Sequence, residues 1–365
     1  MTARPKTPAK ETRPSLSDQP EELLKFLRDS LSPRISDVRL EPLEGDASTR
    51  KYYRIYLFGG PLSSVIAQEL SDPGPENPLD LPFLNIRVHL AGLGLGVPEY
   101  YAYFQEKGWV VLEDLGDETL EAATKDLRPS EREDKYRAAI DMLATMHYSR
   151  GNCFAFTYAF DEAKFTEELN FFLKHAVEGL WERRVSSRDR SLLIEEFGNL
   201  AKELASQPQV FTHRDYHSRN LMVRPGRKDL SLLDFQDARL GPPHYDLASL
   251  LYDSYVELPD GLRRSLLLYY LDRADRMGRP YDPTGFIQVL RLAAVQRNLK
   301  AIGTFAYQAS VLGRPRYLQA IEPTLRHVAN HCHRVPELSP LWETLKRYVP
   351  DSFRGPEVSS VRGNG

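Results

Sequence analysis

The sequence predicts an α+β protein of two lobes, a small sheet-rich one followed by a larger helical one. Between residues 51 and 114 the apolar residues alternate in short runs, and beyond about residue 130 they recur at helical spacing in long ones. At 365 residues the chain exceeds the ~100–200 of an ordinary domain, which favours two packed units. The expected division is a disordered tail over 1–17, an N-lobe over 18–115, a C-lobe over 116–350 and a second tail over 351–365.

Each element has a local reason. The first residues carry Pro5, Pro8 and Pro14 among Lys, Arg, Thr and Ser, and offer little apolar surface to offset the entropy of ordering. The end after Pro350 reads the same way. Asp18 with Glu21, and Pro20 in the first turn, form a helix-start signature, followed by Leu23, Leu24, Leu27 and Leu31 at helical spacing. Strand 51–58 places Tyr53, Ile55 and Leu57 on one face and Tyr52, Arg54 and Tyr56 on the other. A second strand, 63–70, follows Gly59-Gly60-Pro61. Pro82 opens a short helix with Phe83, Ile86 and Leu90, which stops near glycines 92, 94 and 96. Segments 100–104 and 109–114 form a hairpin. Helices are then expected over 131–149, 161–181, 188–205, 260–276, 284–308 and 315–333, with short strands at 221–223 and 230–235.

Composition excludes several classes. With 41% hydrophobic and 27% charged residues the chain is globular, and a net charge of -3 steers it to neither nucleic acid nor anionic lipid. Two distant cysteines, Cys153 and Cys332, exclude a disulfide scaffold and a cysteine-based zinc site. No apolar run reaches the ~20 residues that span a bilayer, and the N-terminus shows no hydrophobic signal segment, so a cytoplasmic protein without membrane partners is expected.

The chemistry concentrates in one stretch. His213-Arg214-Asp215, with Asn220 five positions after the aspartate, resembles the H-R-D-x-x-x-x-N catalytic loop of kinases, and Asp234-Phe235 stands where D-F-G would stand. Four such residues at fixed offsets arise by chance in a chain this long with odds of about 0.002. Phosphoryl transfer passes through a loose, highly charged transition state, so positioning and charge neutralisation do most of the work. In that chemistry Asp215 accepts a hydrogen bond from the attacking hydroxyl and takes its proton, while Asn220 and Asp234 hold Mg²⁺ against the ATP phosphates. Other candidates are weaker. The pair His213 and His217 lacks the Glu of a helix-borne H-E-x-x-H. His327 and His331, near Cys332 and His333, read as a solvated helix end rather than a metal site, and His147 reads as a packed interior histidine.

These residues resemble the aminoglycoside phosphotransferase and choline kinase superfamily of small-molecule kinases. Within it, Gly45 to Arg54, His213 to Val223, Asp234 to Ala238, Gly241-Pro242, Tyr245 to Leu247, Lys300 to Phe305 and Tyr317-Leu318 are similar to bacterial kinases of the anomeric hydroxyl of N-acetylmuramate and N-acetylglucosamine. The resemblance implies a two-lobed protein-kinase-like fold, with a small antiparallel-sheet N-lobe and a larger helical C-lobe. It implies Asp215 as base, Asn220 and Asp234 as metal ligands, ATP and Mg²⁺ as cofactors, and a place in peptidoglycan recycling. The turn 45–50, with Ser48, Thr49 and Arg50, and the following Lys51 would meet the ATP phosphates. Glu113, Asp114 and Leu115 would be the hinge whose backbone meets adenine, and His213 and Asp246 would support the catalytic loop.

One departure stands out. The strand position at which protein kinases carry a lysine holds Gln68, and the sugar-kinase subgroup resembles this chain in that respect; Arg50 or Lys51 is the candidate replacement cation. Only eleven residues separate Asp234 from Asp246 and no A-P-E follows, which leaves no room for a peptide-docking activation segment and points to a small acceptor. Tyr252, Tyr255, Phe305 and Tyr307 are aromatic candidates for stacking on a sugar, with core packing as the plainer role. Two further readings stand beside the sugar kinase. One is a kinase of another small alcohol, such as an aminoglycoside, an amino alcohol or a different hexose. The other is a nucleotide-binding pseudokinase serving as an interaction module.

Overall fold

The structure, a computed structural model, describes residues 15–43, 51–224 and 229–353. The chain divides into two compact units, one running up to Leu81 and including Pro98–Asp114, the other combining Pro82–Val97 with Leu115 onward. The sequence division at 115 differs in one segment. Ile86, Leu90 and Val97 belong to the core of the larger unit, because the apolar face of helix Pro82–Gly92 is buried there.

The smaller unit is helix α1 (Pro20–Ser30) on a sheet of β1 (Asp37–Leu43), β2 (Lys51–Phe58), β3 (Ser64–Glu69), β4 (Tyr100–Phe104) and β5 (Trp109–Glu113). The order is β1-β2-β3-β5-β4 and every pair is antiparallel. The period of two sends Tyr53, Ile55 and Leu57 of β2 into a core shared with Leu23 and Leu27 of α1 and Trp109 and Val111 of β5. Sequence reasoning missed β1. It is an edge strand with charged alternate residues and Pro42, so its apolar signal is thin. The β4–β5 turn closes through Gly108 at φ 57, left-handed geometry that glycine adopts without penalty.

Two expectations at the start of this unit need correction. Asp18 is not the cap of α1: Gln19 holds that position, and the Asp18 carboxylate instead accepts the Ser15 N–H at 3.0 Å across a preceding turn of 3₁₀ helix. Order also begins earlier than Asp18, since Leu16 is fully buried and Ser15 Oγ donates to Glu69 at 2.9 Å. The tail residues 1–14 and 354–365 lie outside the described residues.

The larger unit is helical: α2 (Pro82–Gly92), α3 (Leu120–Thr124), α4 (Pro129–His147), α5 (Glu162–Phe172), α6 (Ser187–Ala205), α7 (Pro243–Leu251), α8 (Asp260–Arg276), α9 (Pro283–Ser310), α10 (Ile321–Arg334) and α11 (Ser339–Leu345). Two small antiparallel ladders pair β6 (Val210–Thr212) with β9 (Arg239–Gly241), and β7 (Leu221–Val223) with β8 (Leu230–Leu232). The single helix expected over 161–181 is α5 running on into a π-helix, Leu173–Leu180. Helix α9 is the axis of the unit and packs on α5, α7 and α10. At Gly303 it passes so close to α5 that a Cβ would stand 2.7 Å from Phe172 Cα. Among the described residues no helix is long and apolar enough to cross a membrane.

His327 and His331 are not a solvated helix end. Both lie on the buried face of α10, with ring contacts to Tyr252, and among the described residues no group of three or more His, Cys, Asp and Glu is placed to hold a metal. Burial pushes both imidazoles, and that of His244, down to about 3, with nearby cations or another histidine adding to it. Each folded value lies below the unfolded 6.5, so their contribution is fully present above about pH 6.5 and is lost as pH falls towards 3. Each costs about 1.4 kcal/mol per pH unit in that window. Together with His217, whose ring is also held down to about 3, they are expected to lower the unfolding free energy, read by urea titration, by about 5 kcal/mol between pH 6 and 5. A flat profile there would show that the four rings charge in the folded state.

Candidate active site

The catalytic-loop sequence folds where β6 ends. Residues 213–217 leave the strand, a 3₁₀ turn spans Ser218–Asn220, and β7 begins at Leu221. The loop is held from beneath by Asp246 on α7, a fully buried carboxylate. Its Oδ2 accepts the His213 N–H at 2.6 Å and its Oδ1 the Arg214 N–H at 2.9 Å. His213 Nε2 bonds the Leu233 carbonyl at 2.8 Å, which ties the loop to the segment carrying Asp234. Arg214 sits at φ 82, a strained conformation, and its side chain reaches the buried Glu168 of α5 at 2.9 Å. Further along, the buried Asp253 caps the 3₁₀ turn by accepting the Ser218 N–H at 2.9 Å. Asp246→Ala would strand two buried backbone donors. It is expected to cost about 2–4 kcal/mol of stability in thermal or urea unfolding, whereas a loss under about 0.5 kcal/mol would show that the loop holds itself.

Asp215 stands at the crest of this loop. Its Oδ1 accepts a hydrogen bond from Lys300 Nζ of α9 at 2.6 Å, and the two side chains are 29% and 16% exposed. Oδ2 accepts no hydrogen bond from the described residues. Desolvation works against the charge, yet the cations of Lys300 and Arg214 hold the carboxyl well below the usual carboxylate range. The His217 ring is pushed down to about 3, chiefly by burial and then by Arg297, so it is neutral.

Asn220 is oriented by its neighbours: Nδ2 donates to the Asp215 carbonyl at 2.9 Å and lies 3.4 Å from His217 Nε2, and Oδ1 accepts no hydrogen bond from the described residues. Its backbone carbonyl accepts the Leu233 N–H at 2.9 Å, so the turn carrying Asn220 is stitched to the residue before Asp234. Asp234 is exposed, lies at φ 59, and accepts Gln236 Nε2 on Oδ1 at 2.5 Å. The larger unit therefore gathers Asp215, Asn220, Asp234, His213 and Asp246 around one loop.

The remaining candidates fall elsewhere. Ser48, Thr49 and Arg50 lie outside the described residues. Lys51 opens β2, with its Nζ 3.8 Å from Glu69 and 61% of its side chain exposed. Asp114 is held by two hydrogen bonds from Arg54, at 2.8 and 3.0 Å, and the Glu113 N–H is taken by the Glu99 carbonyl at 2.8 Å. Leu115 is buried. The aromatic candidates are packed: Tyr255 lies under Arg219 at 3.7 Å, Phe305 stacks on Tyr317, and Tyr307 meets Phe171 and His175. Sequence reasoning missed Lys300, Glu168 and Asp253 as partners of the loop. Lys300 lies 85 positions beyond Asp215, and no local pattern links them.

Comparison with known proteins decides the family. Residues 39–281 match the family model described as "Phosphotransferase enzyme family". The chain belongs to this phosphotransferase family. A relative from Pseudomonas aeruginosa, named N-acetylmuramate/N-acetylglucosamine kinase, is 33% identical over 85% of this chain and 89% of its own. A relative of the same name from Neisseria meningitidis is 30% identical over 84% of this chain and 89% of its own. Among solved structures, a choline kinase from Cryptosporidium parvum superposes with a TM-score of 0.59 at 11% identity, covering 90% of this chain and 96% of that one. An aminoglycoside phosphotransferase homologue from Ralstonia eutropha gives 0.55 at 17%, covering 90% and 99%. The family member described here is thus a phosphotransferase enzyme with a protein-kinase-like fold.

Proposed function

We propose that the chain is an ATP- and Mg²⁺-dependent kinase that transfers the γ-phosphoryl group to the anomeric hydroxyl of N-acetylmuramate or N-acetylglucosamine. The observation that carries the reaction is the placement of Asp215: charged, on a loop braced by Asp246, with Oδ1 held by Lys300 and Oδ2 accepting no hydrogen bond from the described residues. The acceptor is supported by the relatives, whose names agree and whose match spans most of both chains. Oδ2 accepts the hydrogen bond of the incoming hydroxyl, orients its lone pair on the phosphorus and receives the proton as the new bond forms.

The donor set fits magnesium. Asn220 Oδ1 and the Asp234 carboxylate are two hard oxygens, the number that a site completed by phosphate and water needs. Magnesium bound there would neutralise charge on the ATP phosphates. The turn 45–50 with Lys51, and the backbone of Asp114 and Leu115, are proposed to contact the nucleotide; Glu113 offers less, because its N–H is already engaged. A cytoplasmic role in recycling cell-wall sugars goes with this reading. The test is ADP release over a panel of acceptors: N-acetylmuramate, N-acetylglucosamine, their 1-O-methyl glycosides, choline and an aminoglycoside. Turnover of the free sugars and none of the glycosides is expected. Turnover of the glycosides, or of choline alone, would overturn the anomeric assignment.

A further inference from the structure

Lys300 is the one side chain from outside the loop segments that reaches the reacting carboxylate among the described residues. It rides on the central helix α9, one turn before Gly303, where the helix lies hard against α5. An ammonium has three N–H donors. One goes to Asp215 Oδ1 at 2.6 Å, and no other side chain among the described residues accepts from Lys300. With 16% of the side chain exposed, two donors of a mostly desolvated cation stand beside the oxygen that meets the acceptor. Such donors are costly to leave unmade, and the group that arrives next to Asp215 in this reaction is a phosphoryl group gaining negative charge.

Among the described residues the other cations serve this role less well. Gln68 supplies no charge on β3, and Lys51 is 61% exposed with Glu69 beside it. Arg214 is committed to Glu168. We propose that Lys300 is a catalytic residue of the transfer step, pinning Oδ1 of Asp215 so that Oδ2 faces the acceptor and giving its remaining donors to an oxygen of the transferring phosphoryl group. This rests on the phosphotransfer reading above. The acceptor oxygen forms the new P–O bond with its lone pair. The bond to the β-phosphate oxygen breaks with its electrons leaving on ADP, the hydroxyl proton passes to Asp215, and Lys300 keeps its protons throughout.

The experiment is steady-state kinetics of Lys300→Ala, Lys300→Met and Lys300→Arg, with N-acetylmuramate as acceptor and, in parallel, with water as acceptor in an ATPase assay. Loss of one charged donor to the transition state is expected to lower kcat about 10²–10³-fold in the Ala and Met variants, with KM for ATP within about threefold. The Arg variant should recover part of the loss, and ethylammonium should rescue the Ala variant saturably. Met keeps the aliphatic stem, so it reports on charge where Ala disturbs folding. Ala and Met variants within about threefold of wild type would overturn the proposal. So would a kcat loss, in protein of unchanged thermal midpoint, that neither Arg nor ethylammonium relieves. Wild-type enzyme that hydrolyses ATP but phosphorylates no sugar would count against the acceptor reading alone, because the ATPase arm still reports on Lys300.

Discussion

Asp215→Asn is expected to keep the fold and bind ATP while kcat falls about 10³–10⁴-fold. The substitution conserves shape, and the loop around it is secured by groups that it does not touch, namely Asp246, His213 and Asp253. It replaces with an amide the one carboxylate that, among the described residues, is placed to take the proton of the attacking hydroxyl. No neighbour replaces it: Asp246 is buried beneath the loop with both oxygens occupied, and Asp253 spends its carboxylate on the Ser218 and Tyr255 N–H groups. A 10³-fold loss corresponds to about 4 kcal/mol of transition-state stabilisation, within the range a positioned general base contributes. Rapid-quench turnover with a thermal midpoint measured alongside checks this. Near-wild-type kcat would remove Asp215 from the chemistry.

Asp234→Asn should act on the nucleotide instead. Asparagine tolerates the left-handed backbone that this position adopts, so φ 59 adds little strain, whereas the anionic ligand is lost. The charge proposed to hold magnesium falls from one carboxylate and one amide to two amides. The Mg²⁺ concentration that supports half-maximal ATP binding is expected to rise at least about tenfold, with kcat falling about 10²-fold or more. An unchanged Mg²⁺ titration would move the ligand role to another carboxylate.

Much of this was legible in the chain itself. Strand β2 announced its two faces because a half-buried strand alternates, and the buried Arg54 on its second face became informative only when its ion pair with Asp114 was found. The loop residues were legible because phosphoryl transfer needs particular groups at fixed spacing within one turn of chain. Edge strand β1 was not, since an edge needs few apolar residues. Lys300 stood in a segment that resembles the family, but its partnership with Asp215 was not legible, because it is made by the packing of α9 over a separation of 85 residues. His327 and His331 were misread for a related reason: the missing ligand spacing argued against a metal and for a solvated helix end, but the buried stripe of α10 includes them.

The most direct measurement is a crystal structure of the enzyme with Mg²⁺, a non-hydrolysable ATP analogue and N-acetylmuramate. The account predicts Asn220 Oδ1 and an Asp234 oxygen at about 2.1 Å from the metal, and the anomeric oxygen within about 3 Å of Asp215 Oδ2. A metal held by other carboxylates, or a sugar whose anomeric oxygen lies away from Asp215, would contradict it.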